Sequence, residues 1–148
     1  MNVLAAIVAG IVGTAVISAV MAMAPRMGMP KMDIVGMLGT MFGQPNRTLG
    51  WAIHFMMGAV FALIYALLWS IGIGQPNWST GLVFGAVHWL AAGLVMGMIP
   101  MMHVGIQRGE VQAPGLWMIH TGGMMGFVGG LIGHLIFGLV VVLVYNLF

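Results

Sequence analysis

The chain has 148 residues, of which 61% are apolar and 4% charged: four Lys or Arg and two Asp or Glu. A soluble domain carries about a quarter of its residues as charges, so the composition excludes a water-solvated fold, and the same apolar content excludes a disordered chain. The bilayer is the solvent, and at about 20 residues per crossing the length admits four spans with little outside them.

Four apolar runs predict transmembrane helices over about 3–24, 50–71, 80–99 and 121–147. The first stops where Pro25, Arg26 and Lys31 begin. It lacks a basic leader and a separate cleavage site, so it reads as a retained helix, with a signal anchor as the alternative. After it, PKMDIVGMLGTMFG sets Ile34, Met37, Leu38, Met41 and Phe42 on one face, which predicts a short interfacial helix over 33–42, with a re-entrant segment as the alternative. Trp51 and Trp69 bracket the second run about 27 Å apart, where interfacial aromatics sit. Turn residues in GIGQPNWS separate it from the third run, which closes at Pro100. Gly122, Gly123 and Gly126 blur the start of the fourth.

All four basic residues, Arg26, Lys31, Arg47 and Arg108, fall in loops 25–49 and 100–120. The positive-inside rule makes those loops cytoplasmic and puts both termini outside, in a multi-pass protein of the cell's inner membrane. The pI near 9.7 reflects a surplus of two charges and does not point to nucleic acid.

The pattern H-x3-G-x6-Y occurs twice, as His54, Gly58, Tyr65 and as His134, Gly138, Tyr145. MAMAPRM at Met21 is matched by MGMIPMM at Met96. These matches predict an all-α four-helix bundle built from two duplicated hairpins, about 1–74 and 75–148, in parallel orientation about an axis along the membrane normal. Small residues recur every four positions: Ala6, Gly10, Thr14, Ser18 and Ala22 in the first span, with similar ladders through Gly58 in the second and Gly138 in the fourth. Such stripes let membrane helices approach closely, so each is expected to meet another helix, in this chain or in an oligomer.

No carboxylate lies in any span, since Asp33 and Glu110 are both in loops. Paired-carboxylate chemistry and an acid-assisted triad are thereby removed, and an enzyme is not expected. With no cysteine there is also no thiolate metal site. His54, His88 and His134 lie within apolar runs, where an imidazole must be satisfied. Hydrogen bonding across helices is the simplest reading. The sharper one is ligation of haem b or another tetrapyrrole by His54 and His134, with Gly58 and Gly138 leaving room for the macrocycle and His88 as a further candidate. Seventeen methionines raise Cu(I) as another ligand, with Met21, Met23, Met96, Met98 and His103 as candidates. Methionine is also apolar filler, and residues two apart point to different sides of a helix. His103 and His120 are expected to be solvated rather than ligating.

The stretches MAPRMGMPKMDIVGMLGTMFG and GWAIHFMMGAVFALIYALLW resemble the opening half of small four-helix bacterial integral membrane proteins of a domain-of-unknown-function family. That resemblance implies a fold and no activity. The function expected is therefore a structural or accessory membrane subunit, surrounded by lipid and working with its own copies or other subunits. A bis-histidine tetrapyrrole protein and a Cu(I)-binding or transport protein are the alternatives.

Overall fold

The computed structural model describes residues 1–148 and is helical throughout. Its elements are α1 (Val3–Met23), α2 (Ile34–Gly39), α3 (Arg47–Ser70), α4 (Trp78–Met98), α5 (Val104–Gln107) and α6 (Ile119–Tyr145), with 3-10 turns after α1 and α4 and before α6. Four of these segments are long and apolar enough to cross a membrane: Val3–Met27, Arg47–Ser70, Trp78–Met101 and Leu116–Tyr145. This is the architecture of a multi-pass membrane protein.

Side-chain caps decide where most helices start. Asn2, Asn46 and Asn77 each accept a backbone N–H in the first turn of α1, α3 and α4, and Thr80 completes a capping box with Asn77. The caps open α3 and α4 two or three residues before their apolar runs begin. The fourth span has no such cap. It is entered through Trp117 and Met118, both with positive φ, and is broken again at Gly123 (φ 56°). Left-handed backbone costs a non-glycine residue about 1–2 kcal/mol, so packing must hold these two in place. Trp117 lies against Gly93, where a Cβ would collide with its indole, and Met118 is buried.

Around the bundle the order is α3, α1, α6, α4. Gly10 of α1 meets the backbone of α3 at Gly58, and Gly58 in turn packs on Thr14. In the second hairpin, Gly81 and Gly85 of α4 meet α6 at Gly138 and His134. The stripes are therefore backbone contacts, matched in both hairpins. Trp89, which interrupts the α4 glycine ladder, fills the space over Gly130. The sequence reading missed a second face of α1, along Ala5, Ala9, Gly13 and Ile17, where Gly13 packs on Phe137 and Val141 of α6. Across the ring, α3 and α4 meet through large side chains: Trp69 stacks on Phe84 at 6.0 Å, and Phe61 on His88 at 3.7 Å. Small residues close one side of the bundle and aromatic rings hold the other apart.

The segment expected as an interfacial helix over 33–42 is shorter and differently turned. Thr40 Oγ1 donates to the Gly36 and Met37 carbonyls and ends α2, so Phe42 falls beyond the helix and is 71% exposed. Val35, Leu38 and Gly39 form the buried face, because Gly39 and Gly50 let α2 lie directly on the start of α3. Asp33 caps α2 through the Gly36 N–H at 2.9 Å and takes two bonds from Arg47, at 2.8 and 3.3 Å. The Arg47 guanidinium, opposed by partial burial and helped by the Gly36 N–H, holds the Asp33 carboxyl below its ordinary range. A lowered folded-state value means this stabilisation is present above the ordinary aspartate pKa, about 4, and is lost as pH falls through the folded value. Asp33→Asn keeps a capping oxygen but loses the charge paired with Arg47, so it should lack that increment at neutral pH and show no acid-end dependence from this site. Asp33→Ala should in addition lose about 1 kcal/mol of cap. Thermal melts from pH 7 to pH 3 separate the two variants.

Candidate functional site

His54 comes from α3, His88 from α4 and His134 from α6, and all three line one intramembrane cavity of about 300 Å³. That volume is at the lower end of the small-ligand range. No Asp, Glu, Lys or Arg lines it. The wall is apolar apart from these imidazoles and Thr14, whose hydroxyl is already bonded to the Gly10 carbonyl at 2.8 Å.

Each imidazole is held differently. His134 Nδ1 lies 2.7 Å from the Gly130 carbonyl, one turn earlier on α6. A carbonyl only accepts, so Nδ1 carries the proton and Nε2 keeps a lone pair. His88 Nδ1 lies 3.3 Å from the Tyr65 hydroxyl across the α3–α4 gap, and its ring stacks on Phe61 and meets His134 edge to face at 4.7 Å. Trp89 packs against His134 at 5.0 Å and leaves its indole N–H without a protein acceptor. His54 makes no hydrogen bond to the protein, yet its nitrogens are not among the sealed, unpartnered atoms, so they open onto accessible space.

The floor of the cavity is α2. Ile34, Met37 and Leu38 line it, together with Met32 just before the helix. At Met21, Met32 and His54 the cavity meets a cleft of about 390 Å³ bounded by Lys31, Asp33 and Arg47. That cleft lies beside His54, at the end of the bundle that carries the basic loops.

Two expectations about site residues change. Gly58 and Gly138, expected to leave room for a macrocycle, are packed against Thr14 and the Gly81 backbone. The open glycine is Gly133, beside which nothing lies within 4 Å and which lines the cavity. His103, expected to be solvated or a metal ligand, is 1% exposed, with Nε2 2.7 Å from the Met37 carbonyl and Nδ1 accepting the Ile106 N–H at 3.1 Å. With both nitrogens engaged, it caps α5 and ties it to α2. His120 is exposed, as expected. The methionine candidates divide: Met21 and Met96 line the cavity, whereas Met23 and Met98 are 56% and 57% exposed.

The model of a family of unknown function, DUF6789, matches residues 1–148. The chain belongs to DUF6789. No curated protein and no solved structure matches it. For this DUF6789 protein, the cavity itself is the source of functional argument.

Proposed function

We propose that this chain is an accessory integral-membrane protein, without catalysis of its own, whose working part is the histidine cavity: a binding site for a small ligand held by neutral donors. The observation that carries this reading is His54. An imidazole that bonds to no protein group and faces accessible space in a largely apolar cavity has its nitrogens free for a ligand, and binding explains why it is there. The matched small-residue contacts support the accessory role, since membrane subunits associate through the same kind of packing with their copies or with other proteins.

Two substitutions test the cavity reading. His88→Leu leaves the buried Tyr65 hydroxyl unpartnered, which costs about 1–3 kcal/mol and should lower Tm in detergent. His54→Leu removes an imidazole that bonds to nothing, so Tm should hold or rise. An equal loss in both variants would make His54 a packing residue and end the binding proposal.

The orientation belongs to the same proposal. Arg47 pairs with Asp33, and Arg108 lies beside Gly43, at the end of the bundle opposite the Asn2–Tyr145 and Asn146–Pro76 contacts. Both termini outside is then the expected topology. In this cysteine-free chain, Gln75→Cys on intact cells should react with an impermeant maleimide and Thr48→Cys should not. The reverse pattern inverts the orientation.

A further inference from the structure

On the reading that the histidine cavity binds a small ligand, we infer that the ligand is a soft monovalent metal cation of the Cu(I) class, held by cavity imidazoles together with methionine thioethers. Besides the three histidines, the cavity is lined by Met21, Met32, Met37, Met57, Met96 and Met118. These come from α1, the segment before α2, α2 itself, α3, α4 and the left-handed entry to α6. No single methionine-rich helix face produces that convergence. It takes the whole fold, including the strained backbone at Met118.

The donor set selects the metal. Thioethers prefer Cu(I), imidazole accepts it, and hard divalent cations want carboxylates, of which the cavity has none. No three His, Asp or Glu side chains of the protein group as a metal cluster, which argues against a zinc-type histidine triad and leaves the lining thioethers to complete the set. All donors are neutral. A single positive charge is therefore the smallest burden the wall can be asked to carry, and a divalent ion doubles it with nothing to offset it.

Individual residues are suited to the role. His134 donates Nδ1–H to the Gly130 carbonyl, the outer bond that fixes the tautomer of a ligating histidine, and keeps Nε2 free. Met57 follows His54 by three residues on α3, so both side chains project from one helix face. Met21, Met32 and His54 line both the cavity and the cleft of Lys31, Asp33 and Arg47, so two thioethers and an imidazole border the two together.

The test uses the full chain in detergent, kept anaerobic and titrated with Cu(I) against bicinchoninate. One Cu(I) per chain is expected, with both nitrogen and sulfur scatterers in the copper X-ray absorption spectrum, and Zn(II) should be lost to a matched competitor. The double variant Met57→Leu, Met96→Leu conserves volume and so should fold. It should bind Cu(I) at least tenfold more weakly, whereas Met23→Leu, Met98→Leu, altering exposed thioethers outside the cavity, should bind as wild type does. The inference is overturned by a wild type that holds no Cu(I), by equal behaviour of the two double variants, by Zn(II) held as tightly, or by a Soret band in the purified protein, which would assign the histidines to haem. If Cu(I) fails while His54→Leu still leaves Tm unchanged or raised, the metal is wrong and the binding cavity stands. If His54→Leu destabilises, the cavity reading itself has failed.

Discussion

Gly138→Ala and Gly58→Ala should each destabilise the protein strongly, while Gly133→Ala, on α6 with Gly138, should be neutral or stabilising. The three glycines are buried in helices, so sequence and burial rank them alike. What differs is the neighbour. A Cβ at Gly138 would strike the Gly81 carbonyl oxygen, which the α4 backbone holds in place. A Cβ at Gly58 would strike Thr14 Oγ1, itself pinned to the Gly10 carbonyl. The Gly81 carbonyl cannot move without separating two helices, and Thr14 Oγ1 can turn aside only by giving up its bond while its Cβ and the Gly10 carbonyl still crowd the added methyl; overfilling of this kind costs about 1–3 kcal/mol or more. For a chain of this size that is roughly 3–10 °C in Tm. At Gly133 a methyl group meets open cavity, and alanine gains up to about 1 kcal/mol in helix propensity. Thermal melts of the three variants in one detergent decide the matter; a loss at Gly133 matching that at Gly138 would remove the close-contact account.

The contrast also marks how far the sequence could be read. Spacing alone placed the four spans and the small-residue stripes, because helix periodicity and span length are properties of one segment at a time. Convergence of His54, His88 and His134 depends on the order of helices around the ring, α3, α1, α6, α4, which no single segment encodes. The H-x3-G-x6-Y pattern drew attention to His54 and His134 and left His88 secondary, although it is His88 that bridges to Tyr65 and lies beside His134. Methionine spacing was read more safely. Residues two apart point to different sides of a helix, and of the M-x-M pairs in α1 and α4 only Met21 and Met96 reach the cavity. The asparagine caps were legible in principle: Asn46 and Asn77 each stand just before an apolar run, with a bondable N–H three residues on. The left-handed turn at Trp117 and Met118 had no signal, since neither residue type favours positive φ.

His103→Ala is expected to have the other large effect, on the cavity floor rather than on the spans. This imidazole spends one nitrogen on the Met37 carbonyl of α2 and the other on the Ile106 N–H of α5, both within a nearly sealed environment. Alanine strands the Ile106 N–H, at about 1–3 kcal/mol for a buried group left unpaired, and cuts the tie to the Met37 carbonyl, which keeps only its bonds from Thr40. The backbone contacts from Val104 to the Met41 carbonyl and from Gly105 to the Thr40 carbonyl then have to hold the two loops alone. Local opening should concentrate in residues 33–42, because α2 is only six residues long and is fixed to α3 on one side and to His103 on the other. Hydrogen exchange should therefore accelerate across that segment in His103→Ala, with α1 and α6 little changed. His103→Gln, which can still donate to the Met37 carbonyl but fits the α5 cap less well, should fall between alanine and wild type. Uniform acceleration across all four spans would mean that His103 supports the bundle as a whole. Exchange confined to α2 and its flanks would show that the floor opens independently of the helices around the histidines, which is the freedom a ligand entering past Met32 requires.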